Sequence, residues 1–202
     1  MEGPSHVVFG LAGAVVIDSV FHISGAPLLA TGQAPSAQLI AVKIVYYGVA
    51  GLGALVPDID NARSTLGRRL GVVSRVIQKH AGHREIFHSL VGLLLTGVFV
   101  WGLAQGIAYG LFRLGWSLNP NSPAAHFGLI ALIALLIGYL LHLVADSLTL
   151  GGVPWLWPSH TRYGLPPKRS WRFRSGSFAE PVVVVAVAVA VIVAIFRHVL
   201  TI

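Results

Sequence analysis

The sequence predicts an all-α fold: a polytopic transmembrane helical bundle of about five membrane segments, with a metal site at its cytoplasmic end. Three observations lead there. The 202 residues are 55% hydrophobic and only 10% charged, at a mean hydropathy of +0.77, whereas soluble domains carry about 25% charged residues. Five apolar stretches each reach roughly 18 residues, enough to cross about 30 Å of hydrocarbon. Histidines and aspartates recur near one end of these stretches.

The first stretch, 6–23, is interrupted by Asp18 and His22 and diluted by glycine, so a re-entrant segment is the alternative to a full span. The preceding "MEGPSH" has no basic n-region and no clear cleavage site, so this segment is expected to be retained. The second stretch covers 36–56. The third, 89–115, is longer than a span requires, and its end is expected to tilt or emerge. The fourth is 125–148. The fifth, 181–199, reads "PVVVVAVAVAVIVAIF", which in water would suit a strand. Its length and apolarity predict a membrane helix, with Pro181 in the first turn and Glu180 at the positive end. Residues 1–202 are expected to form one integral-membrane domain.

Arg63, Arg68, Arg69, Arg75, Lys79 and Arg84 lie between the second and third stretches. Arg162, Lys168, Arg169, Arg172 and Arg174 lie between the fourth and fifth. These loops hold eleven of the 14 Lys and Arg residues, so the positive-inside rule puts both in the cytoplasm, with the N-terminus inside. The net charge of +7 then reflects topology and anionic headgroups rather than nucleic acid. The absence of cysteine excludes disulfides, thiolate metal sites and cysteine nucleophiles.

On this topology the titratable residues converge. His6 begins the first segment. Asp58 and Asp60 of "PDID" end the second. His83 and His88 of "HREIFHS" lead into the third, and His142 and Asp146 close the fourth. Four of the seven acidic residues (Asp58, Asp60, Glu85, Asp146) fall in this set. His142 and Asp146 are four apart, so a helix stacks them on one face. If "PDID" is extended, Asp58 and Asp60 point the same way. The spacing of His83 and His88 places the first in the loop and the second in the first helical turn. Each fragment alone has a plain reading, since helix ends at a membrane surface tolerate His and Asp and "PDID" can cap a helix. Four fragments on one side favour a common site. Imidazole and carboxylate without sulfur suit zinc, manganese or iron in a hydrolytic centre.

Together, "SHVVFG", "LVPDIDNARSTLGR", "HREIFHSL", "GYLLHLVADSLTLGGVPWLWP" and "WRFRSGSFAE" resemble the LexA-regulated, YdjM-like family of inner-membrane metal-dependent hydrolases, in the family's order from His6 to Glu180. The resemblance implies a metal site formed by His6, Asp58, Asp60, His83, His88, His142 and Asp146. The family's HRxxTHS pattern has threonine where this chain has Phe87, so one hydroxyl contact is missing. The HxxxD element also resembles, over five residues only, zinc-dependent phospholipase C enzymes.

Among the remaining candidates, Asp18 and His22 suggest a structural ion pair or hydrogen bond. His80, His126, His160 and His198 have no partner motif and read as interfacial. Glu85 is a candidate general acid or base, against the alternative of a solvated loop carboxylate. Arg84 is a candidate phosphate contact. Arg172 and Arg174 could orient a headgroup while Trp171 and Phe173 anchor at the interface, and Trp155 and Trp157 also read as interfacial anchors. The expected activity is metal-dependent hydrolysis, by a metal-activated water, of a phosphoester in a lipid or other amphiphile. One or two divalent ions are expected, zinc first. The chain has no Gly-x-Ser-x-Gly elbow and no HExxH, which disfavours a serine lipase and a zincin protease. The alternative is a non-catalytic metal-binding membrane protein, an ion carrier or scaffold. A carrier predicts polar residues and broken helices at the bilayer midplane, whereas these residues gather at one surface.

Overall fold

A computed structural model describes residues 1–25, 36–81, 85–116 and 123–200, with side chains from 125 to 193 in the last stretch. Seven helices follow in order: α1 (Gly3–Phe21), α2 (Ala37–Gly53), α3 (Thr65–Leu70), α4 (Val72–Ala81), α5 (Leu90–Arg113), α6 (Pro123–Ser147) and α7 (Ala179–Leu200). Short 3₁₀ turns occupy Val56–Asp60, Ile86–His88 and Arg169–Trp171. The fold is all-helical; among the described residues, β pairing amounts to isolated bridges at Thr149–Phe173 and Val153–Tyr163.

Among the described residues, four helices are long and apolar enough to cross a membrane: Gly3–Phe21, Ala37–Asp60, Leu90–Arg113 and Ala125–Ser147. The apolar stretch Ala179–Val193 of α7 is shorter. α1 runs unbroken for 19 residues, which fits the full-span form of the first segment rather than the re-entrant one. It opens with Pro4 in its first turn and ends where His22 turns left-handed at φ 51°, its N–H donating to the Asp18 carbonyl. Ser36 caps α2 by accepting from Leu39 N–H, and Ser89 caps α5 by accepting from Gly92 N–H.

The centre of the bundle is α2 against α6, with α1 across both. Ala14, Tyr46, Ala50 and Ala134 are fully buried there. Small residues let the backbones approach closely, as membrane helices require when the surrounding solvent is no less apolar than leucine. A Cβ at Gly138 would run into the Ala50 carbonyl and come within 2.8 Å of the Ala54 nitrogen. By contrast, α5 packs on α6 and exposes Leu94, Val98, Phe99 and Ile107. A helix apolar on nearly every side belongs in hydrocarbon.

In the half of the bundle away from "PDID", Lys43 Nζ lies 3.1 Å from Asp18 Oδ2, both buried. Ser24 and Tyr47 donate further hydrogen bonds to the same carboxylate. Asp18 therefore has the expected structural role, but its side-chain partner is Lys43. His22 joins it through the backbone only, because its left-handed turn carries the ring outward to solvent exposure.

Two local expectations change. "PDID" is a 3₁₀ turn, not extended: Asp58 N–H donates to Leu55 O and Asn61 N–H to Asp58 O. Proline's fixed φ suits the first turn of such a helix. At about 120° per residue, Asp58 and Asp60 project to different sides. Likewise His88 ends the 3₁₀ turn ahead of α5, one residue before the Ser89 cap, so it precedes the helix instead of opening it.

On α4, Ser74 faces the body of the protein and donates to the Ile59 carbonyl at 2.7 Å. Val72, Val73 and Val76 are exposed on the outer side, with Arg75 and Lys79 beside them. The connection 148–178 closes over the same end of the bundle. Leu90 N–H donates to Trp155 O, and Trp155 Nε1–H to Ser147 Oγ. Trp155 packs with Tyr139, Leu143 and Val153, and Phe173 packs with Met1, Ala145 and Val184. Both had been expected as interfacial anchors; folding the loop back onto α6 turns them inward. Trp171, 70% exposed, keeps the position of an anchor.

Candidate metal centre

Four elements bring their ends together. His6 comes from the first turn of α1, Asp58 and Asp60 from the turn after α2, His88 from the turn before α5, and His142 with Asp146 from the last turns of α6. All six side chains are buried. Two overlapping groups, His6–His142–Asp146 and Asp58–His88–His142, each place their ligand atoms within 4.8 Å of one another.

Hydrogen bonds set the ring nitrogens. His142 Nδ1 is 2.7 Å from the Ala54 carbonyl. A carbonyl can only accept, so Nδ1 carries the proton and Nε2 presents a lone pair. His88 Nδ1 lies 3.2 Å from Asp60 Oδ2, and a carboxylate partner fixes that ring in the same tautomer. The two Nε2 atoms then face each other at 3.3 Å. With both rings neutral, the facing lone pairs repel, so the arrangement calls for a positive charge between them.

Carboxylates complete the ring. Asp146 Oδ2 is 3.7 Å from His88 Nε2 and 3.9 Å from His142 Nε2, and Asp58 Oδ1 is 3.9 Å from His88 Nε2. On its other oxygen, Asp146 meets His6 Nε2 at 3.2 Å and the amino group of Met1. The His6 ring stacks on His142 with centroids 3.6 Å apart. Its Nδ1 is buried without a hydrogen-bond partner, a costly state for a polar atom unless the site holds something more. Donor type, burial and lone-pair direction thus fit a divalent cation.

Asp60 stands behind His88, because the 3₁₀ turn sends it to a different side from Asp58. Metal-bound histidines typically pass their other N–H to such a carboxylate or carbonyl. His83 and Arg84 lie outside the described residues. Glu85 sits apart from the cage, with Oε2 3.2 Å from His160 Nδ1 and Oε1 3.5 Å from an Arg162 guanidinium nitrogen. His160, expected to lack a partner, finds one because the 148–178 connection folds over this end. The Arg172 guanidinium donates at 2.7 Å to each of the Pro166 and Pro167 carbonyls, and Arg174 is exposed. The side chain of His198 is outside the described set.

Three features at this end are not foreseen from the sequence as parts of the site. The Ala54 carbonyl is one. Another is Glu180, which accepts from Glu2 N–H at 2.6 Å and Gly176 N–H at 2.9 Å and so fastens α7 to the start of α1. The third is a pocket of about 390 Å³ whose wall includes Glu2, Asp58, Arg63 and Arg68.

The YdjM inner membrane protein family matches residues 1–200. The chain belongs to this family. It is 33% identical over 171 residues to inner membrane protein YdjM of Escherichia coli (strain K12), covering 82% of this chain and 70% of that protein. The YdjM protein of Shigella flexneri gives the same figures. Uncharacterized protein YvsG of Bacillus subtilis (strain 168) is 25% identical over 190 residues, covering 94% of this chain and 91% of its own. No solved structure matches. With its apolar helices and these YdjM relatives, the chain is a multi-pass inner membrane protein with buried His and Asp groups able to hold a metal ion.

Proposed function

We propose that this YdjM-family protein is a membrane-bound metal-dependent hydrolase acting on a phosphoester of a lipid or other amphiphile. Residues 1–202 form its single domain, and the site faces the cytoplasm, as the basic loops favour. The observation that carries the reading is the pair of opposed Nε2 atoms of His88 and His142, 3.3 Å apart. Two nitrogens about 2.0–2.1 Å from a tetrahedral zinc ion lie about 3.3–3.4 Å from each other. That spacing suits a zinc ion bound by both nitrogens.

His88, His142 and Asp146 would hold one ion and leave its fourth tetrahedral position to water, with Asp58 beside it. His142 has one open nitrogen and so serves one ion only. A second ion beside His6 would have to displace the Met1 amino group from the other oxygen of Asp146. A bound divalent ion supplies Lewis acidity and brings the pKa of a coordinated water toward about 7. Asp60 and the Ala54 carbonyl hold the two imidazoles in the ligating tautomer. Both Glu85 oxygens face His160 and Arg162, so Asp58, on the wall of both cage and pocket, is better placed to take a proton. Buried walls keep bulk water from the charged groups.

Metal analysis of purified wild-type protein beside Asp146→Ala tests the centre. The expected result is one or two equivalents of zinc in the wild type and near none in the variant; equal trace metal in both would remove the proposal. A panel of phospholipids and soluble phosphoesters then separates enzyme from carrier, since a carrier binds metal but releases no product.

A further inference from the structure

We infer that the pocket beside Asp58 is an oxyanion seat in which Arg63 and Arg68 grip the phosphate group of an amphiphilic substrate. The pocket lies between the start of α1 and the turn that leads into α3, and Asp58 is common to its wall and to the cage. A group seated there is therefore adjacent to the metal ligands. At about 390 Å³ it is at the small end of ligand pockets, which span about 300–1,000 Å³. That size fits a headgroup and excludes acyl chains, which stay outside.

The charges on its wall are available. Among the described residues, the bonds made by Arg63 and Arg68 are backbone ones, Arg63 N–H to Asn61 Oδ1 at 3.0 Å and Arg68 N–H to Ser64 O at 3.0 Å. Neither guanidinium has a carboxylate partner there. The fork of N–H donors on each can hold two phosphate oxygens at once. Arg172, expected together with Arg174 to orient a headgroup, already gives two of its donors to the Pro166 and Pro167 carbonyls. Glu2 and Asp58 put negative charge on the same wall, so an anion binds only where the two arginines lie, which fixes its orientation. The seat deepens the hydrolase reading and rests on it for the bond that is cut; anion binding itself does not require the cage to be loaded.

The test uses the full chain in neutral detergent, titrated calorimetrically with dihexanoyl phosphatidic acid and with glycerol phosphate, with zinc content measured on every sample. Wild type should bind phosphatidic acid, and Arg63→Gln/Arg68→Gln should bind it about tenfold more weakly or worse, the usual scale for losing charge-assisted hydrogen bonds. Zinc content should not change, which also shows that the variant is folded. Arg69→Gln, which alters a neighbouring exposed cation off the pocket wall, should bind as wild type. If the double variant fails to fold, the two single changes must each weaken binding. Equal glycerol phosphate and phosphatidic acid affinities would identify a free phosphate group as the ligand; tighter phosphatidic acid would identify a lipid headgroup. Unchanged affinity in the arginine variants, or no binding of either probe to wild type, overturns the seat. Arginine-dependent binding by a wild type without metal would overturn the hydrolase reading and leave the seat standing.

Discussion

His142 reaches across from α6 to the Ala54 carbonyl at the end of α2, 2.7 Å from Nδ1. That one bond decides the chemistry of the opposite nitrogen. With the proton held at Nδ1, Nε2 is a lone pair aimed at the matching lone pair of His88, whose own Nδ1 faces Asp60. The backbone of one helix thereby prepares a ligand on another.

Asp60→Asn tests the orienting role of that carboxylate. An amide can still accept from His88 Nδ1–H but supplies no charge, so metal should remain with an affinity lower by about 10–100-fold, the usual cost of such outer partners. Competition against a chelator of known affinity measures the shift. A complete loss of metal, matching Asp146→Ala, would make Asp60 a ligand instead.

Gly138→Ala should disturb the site from a distance. The added methyl would run into the Ala50 carbonyl and also come within 2.8 Å of the Ala54 nitrogen, pushing α2 from α6 where Ala54 receives His142. Overpacking of this kind costs about 1–3 kcal/mol. Thermal unfolding in detergent should register that loss, together with weaker zinc retention. Gly48→Ala, on the same α2 but with open space around it, should leave both unchanged.

Much of the bundle is legible because its causes are local. Apolar length fixes the membrane segments, and four-residue spacing puts His142 and Asp146 on one face. The convergence of His6, Asp58, His88 and Asp146 follows from alternating helix direction. What fails to read is decided by tertiary contact. The 3₁₀ turn separates Asp58 from Asp60, although "PDID" equally suits an extended strand. Arg172 looks like a free cation in "WRFR" until the prolines before it present their carbonyls. Arg63 and Arg68 look like topological charge until α1 closes a pocket over them. A backbone acceptor such as Ala54 O leaves no trace in residue identity at all.

Lys43→Met should be severely destabilising, although Lys43 is far along α2 from the site. It would leave Asp18 buried at 3% exposure without its countercharge, a change that costs about 3–5 kcal/mol. Asp18→Asn/Lys43→Met removes both charges and should recover much of that loss, since neutral replacement of a buried pair is often tolerated. Unfolding transitions of the two variants give the comparison. Equal stability of Lys43→Met and wild type would mean that water reaches Asp18.

Arg172→Ala and Arg174→Ala separate loop architecture from headgroup binding. Arg172 ties its guanidinium to Pro166 and Pro167 O, two bonds at 2.7 Å that close the turn over residues 166–172. A hydrogen bond from a charged donor contributes about 1.5–3 kcal/mol. Its loss should open the 148–178 connection and quicken proteolysis there several-fold. Arg174 is exposed and bonds to the fold through its backbone carbonyl, which accepts from Ser177 N–H, so Arg174→Ala should cut at the wild-type rate. If both variants instead keep the wild-type cleavage pattern and bind phosphatidic acid more weakly, these arginines belong to the headgroup contact and the loop is held by Trp155 and Ser147 without them.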